Sequence, residues 1–436
     1  MKLDKYIQDH YSNNPYWFAE EIQQAHHIGR ISKVLNNKQY LNGKLHKVLE
    51  REDITYKDKE LKVSKMILQT AKAILRTHNS YIMGKKVSLT GTDNMVKEYN
   101  KVFRKGKYNS INYKVVKDLN QYGDIFEYVY YSNGKGTSKL ISSEDGYPIY
   151  SDEGDYIGFI EHWTDAVSSI SYYIVYKPNI VEKWTNACGN YILEDTKANI
   201  TGLPIHYING QNTEEENFGR SLLEDIKPIL EKLEYLLNKM DDAITILSLN
   251  PIPYVSGQRV SGTIDADGIG YMINLEDGAE FKYAVAELDS NSIKILYNAL
   301  IEQLVIISGV PSHMFGQSNI ANVSEVSLKI LYQNLDAMAR ELEVYLRDGL
   351  EERFEKLELL LNKKGIKFND DDYIDIEFNY NRPIDSSEVI EQLSKQYQDG
   401  VISRRTYIEK SPLTNNVDSE IKRIEHESKD SKTEGE

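Results

Sequence analysis

Four stretches of this 436-residue chain hold side chains whose types and spacing could do chemistry. His26 and His27 could offer two imidazoles to a metal ion. Neighbours in a helix point to different sides, however, so the pair is expected as two surface histidines. Residues 265–276 (DADGIGYMINLE) have a faint likeness to a calcium loop. They lack a ligand at the fifth position and the glycine comes too early, which leaves an acidic β-turn as the better reading. Residues 369–372 (NDDD) could hold a divalent ion, and a solvated turn ahead of a strand is the expected form. The fourth stretch has the opposite character. Residues 309–324 (GVPSHMFGQSNIANVS) contain no Asp, Glu, Lys or Arg, although 27% of the chain is charged. Ser312, Gln317, Ser318, Asn319 and Asn322 can trade neutral hydrogen bonds with water, while Gly309 and Gly316 are expected to act as hinges.

Catalytic patterns are missing. There is no G-x-x-x-x-G-K-[ST], no H-E-x-x-H and no G-x-S-x-G. A metal-dependent nuclease or hydrolase needs clustered carboxylates with a histidine, which the sequence does not offer. The expectation is therefore no enzyme, no resident metal and no cofactor. Cys188 is the sole cysteine, so neither an intrachain disulfide nor a thiolate zinc site can form, and a packing role is expected. No apolar run approaches the roughly 18 residues of a membrane span. The start, MKLDKYIQDHYSNNPYW, has no apolar core of a signal peptide. Mean hydropathy is −0.52. A soluble protein of cytoplasmic origin is expected.

Charge is unevenly spread. Residues 1–110 hold 21 Lys/Arg against 11 Asp/Glu, whereas the other 326 residues hold 31 against 56. The basic first quarter could meet an acidic partner or nucleic acid, or be a solvated lysine-rich face. The acidic remainder argues against tight wrapping of DNA. Residues 251–288 are acidic too, with six acids, among them Asp265, Asp267, Glu276, Asp277 and Glu280, and two bases.

The elements that must position these stretches can be read from periodicity. Residues 17–77 read as helical, with LKVSKMILQTAKAIL supplying Leu61, Met66, Ile67, Leu68, Ile74 and Leu75. Between 111 and 207, short Tyr-rich and β-branched runs alternate with SNGKG, EDG and DEGD turns, which predicts an antiparallel meander whose tyrosines serve packing. Pro148 and Pro178 suit edges or strand starts. From Ser221 an apolar stripe at 222, 226, 229, 230, 233, 236, 237, 240, 244 and 247 predicts a long helix, opened by a Ser221/Glu224 capping box. A small β insert spans 251–288 and a helix spans 290–308. After the neutral stretch, apolar residues from 328 to 361 recur every three or four positions. They predict one helix over 323–362, on the order of 60 Å long and bent at Gly349. Such a stripe asks for more cover than one chain supplies, so self-association is expected. One strand (YIDIEFN) and two short helices follow, and the polar tail from 414 is expected to be disordered.

Read in series, these elements resemble the portal proteins of tailed bacteriophages with long non-contractile tails, over roughly 60–410. MILQTAKAILRTHNSYIMGKKVSLTG is similar to the family's early helix and Tyr-x-x-Gly-Lys strand, and NQYGDIFEYVYYSNGKG to its first wing strand. GRSLLEDIKPILEKLEYLLNKMDDAI resembles its first stem helix. GVPSHMFGQSNIANVSEVSLKILYQNLDAMARELE resembles its tunnel loop and long helix, and GVISRRTYIE its C-terminal helix pair. The chain departs from the family at Ser324–Glu325, where Ser-Gly is common.

The resemblance implies an α+β portal-type fold. A helical and β wing would take 1–219, a stem helix 220–250, a β clip 251–288 and a second stem helix 289–309. The tunnel loop would take 310–323, the long helix and a wing strand 324–380, and short crown helices 381–413, ahead of the 414–436 tail. It implies a homo-oligomeric ring of about twelve subunits at one capsid vertex, present in the virion and, during assembly, in the host cytoplasm. Double-stranded DNA would pass through its channel without sequence preference. Ser312, His313, Met314, Phe315, Gln317, Ser318, Asn319 and Asn322 would face that DNA. The clip acids Asp265, Asp267, Glu276, Asp277 and Glu280 would dock partners. Expected partners are the terminase large subunit, the head–tail adaptor, and the major capsid and scaffold proteins, with no membrane. The alternative from the same elements is another ring-forming head or adaptor protein, and a nuclease is the more distant one.

Overall fold

The computed structural model describes residues 2–56, 59–132, 134–211, 217–248, 252–257, 275, 277–284, 289–316, 329–382, 386–414 and 417–433. The side chain of Cys188 lies outside this set. The chain divides into two compact units, Met1–Gln317 with Asn334–Tyr380, and Ser318–Gln333 with Asn381–Glu436.

The first unit opens on helices α1 (Leu3–Tyr11), α2 (Trp17–Glu21) and α3 (Ala25–Leu41), and on a hairpin of β1 (Ile54–Tyr56) with β2 (Lys59–Leu61). Then come α4 (Thr70–Met83), β3 (Ser88–Gly91), α5 (Asp93–Gly106) and α6 (Tyr108–Tyr122). The β-rich part holds β4 (Asp124–Ser132), β5 (Lys135–Ile141), β6 (Gly146–Tyr150) and β7 (Tyr156–Thr164), then β8 (Ser171–Tyr176), β9 (Ile180–Thr185), β10 (Ile192–Ala198) and β11 (Ile205–Ile208). It is followed by α7 (Leu222–Asp242), a pairing of β12 (Ile252–Ser256) with β13 (Glu280–Ala284), α8 (Ser290–Ser308), α9 (Gln333–Lys363) and β14 (Ile374–Glu377), which pairs with β3.

Residues 17–77 are helical only in part, and the interruption at 62–69 has a tertiary cause. Residues 62–69 form no helix, and side chains of α7 take their main-chain groups. The Ser64 N–H donates to Asp242 (2.7 Å), the Met66 N–H to Asn238 (2.6 Å) and the Leu68 N–H to Glu234 (2.9 Å). The Asn238 amide returns a bond to the Met66 carbonyl (2.8 Å). With donors satisfied this way, the apolar spacing no longer has to be helical.

The single meander expected over 111–207 is two antiparallel sheets, ordered β10-β9-β8-β7-β6 and β11-β4-β5, preceded by α6. Phe126 and Ile141 of the smaller sheet pack with Phe159 and Tyr176 of the larger. Another face of the larger sheet is covered by Leu3, Tyr6, Trp17 and Phe18 from the first two helices, meeting Tyr147, Ile160 and Tyr173. The tyrosines thus serve packing as expected. Pro148 lies on β6, an edge strand where its missing N–H costs no ladder bond.

The described part of the long helix, α9, has 31 residues, about 46 Å at ~1.5 Å per residue. Its stripe is not left for another copy. Leu335, Leu342, Leu346, Leu350, Phe354, Leu357 and Leu361 are all buried within the chain, so the case for self-association built on this stripe fails. Gly349 does not interrupt the helix. A Cβ there would sit 2.4 Å from the Tyr207 ring, so the glycine is what lets α9 lie against β11.

The second unit contains α10 (Ser386–Gln398), α11 (Arg404–Lys410) and α12 (Val417–Thr433). Tyr397 stacks on Tyr407 with centroids 5.1 Å apart, and Ser403 caps α11 through the Thr406 N–H. Where disorder was expected after 414, Val417–Thr433 is helical, and 415, 416 and 434–436 lie outside the described residues. Val417, Ile421 and Ile424 fall at i, i+4 and i+7, a one-sided stripe that lets a polar segment stay helical.

Candidate channel segment and docking insert

The helix ahead of the insert is fixed at its start by Ser221. Its hydroxyl accepts the Leu223 N–H (3.0 Å) and donates toward the carbonyls of Asn120 (3.0 Å) and Gln121 (2.8 Å). The cap is real, but it bonds the second residue of the helix and not the expected Glu224 position. Leu223, Ile226, Leu230 and Leu233 then pack with Ile301 and Leu304 of α8. Past Leu233 the buried positions on α7 are polar, Glu234 and Asn238. Glu234 receives the Nδ1 atom of buried His46 at 2.9 Å, whose other nitrogen faces the Tyr40 carbonyl at 2.9 Å. The apolar stripe beyond 233 therefore turns outward: Leu236, Leu237 and Met240 are half-buried and Ile244 is exposed.

Asp289 caps α8 by accepting the Ser292 N–H at 3.0 Å. Only Lys294 and Glu302 are charged in this helix. One side of it is covered by α7. The other side leaves Ile295 62%, Leu296 42%, Ile306 61% and Ile307 37% exposed. No helix among the described residues is long and apolar enough to cross a membrane.

The neutral stretch begins where α8 stops. Gly309 adopts a left-handed φ of +64°, and a Cβ on it would lie 2.5 Å from the Met338 sulfur. It is buried and terminates the helix. Just before it, the Ser308 carbonyl accepts from His78 at 2.7 Å. Burial pushes the His78 imidazole down to about 4, so it stays neutral and adds no charge to this end of the segment. Pro311 leads into a tight 3-10 turn, Ser312–Phe315. The four described candidates of that turn do not share one role. Phe315 folds back against the core between α7 and α8, while Met314 is 51% exposed, with its sulfur 3.8 Å from the Thr77 hydroxyl. Ser312 and His313 are half-buried. Gln317, Ser318, Asn319 and Asn322 lie outside the described residues.

In the acidic insert, β12 pairs antiparallel with β13, from Ile252 opposite Ala284 to Ser256 opposite Glu280. Asp265, Asp267, Glu276 and the suspected calcium loop lie outside the described residues, apart from Leu275. Asp277 is exposed in the turn before β13. Glu280 is paired with Lys282 two residues along the same strand, and that hydrogen bond holds its carboxyl below the usual range. The NDDD stretch is the expected solvated turn, closed by the Asn369 N–H on Asp372 at 2.8 Å.

Among the described residues, Glu21, His26 and His27 bring one ligand atom each within 4.8 Å of one another. His27 is not the surface histidine the sequence suggested. It is fully buried, with Nε2 3.1 Å from Glu21, whose other oxygen accepts from Tyr6 (3.0 Å) and Tyr11 (2.6 Å). Burial alone would raise the Glu21 carboxyl, yet the bonds from His27 and Tyr11 hold it below its ordinary value. Both carboxylate oxygens already accept hydrogen bonds, so Glu21 and His27 read as a hydrogen-bonded packing centre beneath α1, while His26 is exposed as expected. The polar anchors His46, Glu234, Asn238, Glu127 and Arg353 escaped sequence reasoning, because for each a decisive partner lies far away in sequence.

Comparison with known proteins gives a family. The model of "Phage portal protein, SPP1 Gp6-like" matches residues 20–434. Among solved structures, the chain is similar to one in the neck of an empty GTA particle computed with C6 symmetry (TM-score 0.50, 10% identity, 78% of this chain and 88% of that chain). It is also similar to chains in the virion of the native gene transfer agent particle (TM-score 0.44, 12% identity, 78% and 87%) and the neck of the native GTA particle computed with C12 symmetry (TM-score 0.46, 11%, 80% and 89%). The comparison with curated proteins gives no match. The first of these likenesses shows a shared α+β fold. Because the family match spans nearly the whole chain, the protein belongs to the SPP1 Gp6-like phage portal proteins, the head–tail connectors of the phage particle.

Proposed function

We propose that this connector assembles into a closed ring, of about twelve subunits, at one vertex of the capsid and that double-stranded DNA enters and leaves the head through the ring's channel. The observation that carries the reading is the uncovered apolar face of α8. Four large aliphatic side chains on a helix with two charges need cover that the chain's described residues do not provide. A contact between this face and a different face of the next copy is heterologous, and heterologous contacts form a ring when the rotation from copy to copy closes. The double change Ile295→Asp with Ile306→Asp should give folded subunits of monomer mass in light scattering and no rings in negative stain. Rings of native size from this variant would remove the face from the interface.

On this reading residues 310–323 line the channel, with Ser312, His313, Met314, Gln317, Ser318, Asn319 and Asn322 toward DNA. Phe315, half-buried against the core, adds its remaining exposed surface to them. Cations there would bind phosphates that follow every ~1.7 Å along the duplex axis, and carboxylates would repel them at the narrowest point. A neutral lining does neither.

The insert is the proposed docking site for the packaging motor's terminase large subunit and for the head–tail adaptor, through Asp265, Asp267, Glu276 and Asp277. Capsid and scaffold proteins would meet the outer β-rich part. Glu280 contributes least, being paired within its own strand. Changing the four acids to amides should weaken binding to basic surfaces on those partners and leave the ring intact. Equal binding to both motor and adaptor would end the assignment. The family is a structural one, and we assign this chain no catalytic step.

A further inference from the structure

The first 110 residues carry ten more cations than anions in a chain of net charge −15, and the channel reading gives that surplus no task. The fold gathers part of it. Lys97, Lys101 and Arg104 fall at i, i+4 and i+7 on α5, so one helix face carries all three within about 10 Å of rise. Lys86, just ahead of β3, joins them around a cavity of about 500 Å³, with the amides of Asn100 and Asn109 on its wall. Val87 and Leu89 supply apolar lining. Among the described residues, no carboxylate lines this cavity. Lys101 is paired with Glu98, whereas Lys86, Lys97 and Arg104 have no carboxylate within 4.0 Å among the described residues. Lys85, Lys105 and Lys107 are exposed close by in sequence. Like charges four residues apart destabilise a helix, so this clustering works against the subunit unless an anion answers it.

The form of the anion follows from the layout. The cations are spread one per helical turn and do not converge on a point, which suits an extended polyanion better than a small ion. Turns about 5–6 Å apart let each cation meet a separate phosphate of a strand whose phosphates advance about 3.4 Å along the axis. The two amides can donate to phosphate or sugar oxygens. We infer that this concavity is a second, sequence-independent site for the phosphodiester backbone of double-stranded DNA, apart from the channel segment. It rests on the connector reading only for the presence of DNA beside the ring.

The test uses the full-length protein and a 30-base-pair duplex followed by fluorescence anisotropy over a salt series. The variant Lys86→Gln/Lys97→Gln/Arg104→Gln changes three exposed side chains. A control, Lys2→Gln/Lys5→Gln/Lys44→Gln, makes the same charge change at exposed positions outside the cavity. Wild type and control should bind alike. The cavity variant should bind at least about tenfold more weakly at low salt, with a slope of log K against log salt shallower by up to about 2.7, or roughly 0.9 per lost phosphate contact. Identical curves for cavity variant and control would overturn the inference, as would no binding by wild type. Tighter binding of poly-glutamate than of a duplex of equal charge would overturn it too, in favour of an acidic protein partner. Negative stain of the same samples separates the two readings. Rings with identical DNA curves remove the second site alone, whereas absent rings with a shallower slope remove the channel reading alone.

Discussion

Replacing Arg353 with methionine while Glu127 remains should cost the subunit about 3–5 kcal/mol, read as a lowered urea midpoint with unchanged slope. Arg353 and Glu127 are both fully buried. The guanidinium donates through Nε (2.9 Å) and Nη2 (2.6 Å) to one oxygen of Glu127, and through Nη1 to Asn112. The Tyr207 hydroxyl donates to the same carboxylate oxygen at 2.8 Å, and the rings of Tyr108 and Tyr207 lie 5.2 and 5.7 Å from the guanidinium. Removing the cation strands a carboxylate in a site without water access. Its attraction to the guanidinium is lost, and its desolvation cost remains. The double change Arg353→Met with Glu127→Leu removes both charges and should recover most of the loss. A single-variant loss below about 1 kcal/mol, or a double variant no better than the single one, would show that the pair is not what ties α9 to β4.

Asn319→Lys should abolish full-length DNA packaging at low salt while rings still assemble. If 310–323 lines the channel, one substitution places a cation in every subunit around the duplex, about twelve in all, each able to neutralise a phosphate and steepen the salt dependence of binding by roughly 0.9. The duplex then has to break many contacts for each step of translocation. High salt should restore part of the packaged length, because screening weakens those contacts. Asn319→Gln keeps the neutral amide and should package normally. Full-length packaging by the Lys variant at low salt, measured from the size of the protected DNA, would take this segment out of the DNA path without touching the fold or the family.

Patterns that repeat within one element were legible in the sequence. The 3.6-residue stripes gave α7 and the described part of α9, and the helix read over 290–308 matched Ser290–Ser308. Turn residues between Tyr-rich runs gave antiparallel strands, and the absence of charge across 309–324 needed no structure at all. Serial order of these elements was enough to point to the family. What covers each stripe was not legible, because burial is a relation between distant residues. The stripe on α9 is covered by its own chain, whereas α8 keeps Ile295 and Ile306 exposed. Residues 62–69 had helical spacing but lost their main-chain hydrogen bonds to Glu234, Asn238 and Asp242, about 170 residues away. Gly349 and Gly309 each had a local reading, bend and hinge, and the structure adds what the sequence could not show, a side chain from another element, Tyr207 or Met338, that leaves no room for a Cβ. Periodicity records which face of an element is apolar, and only the tertiary structure decides what lies against that face.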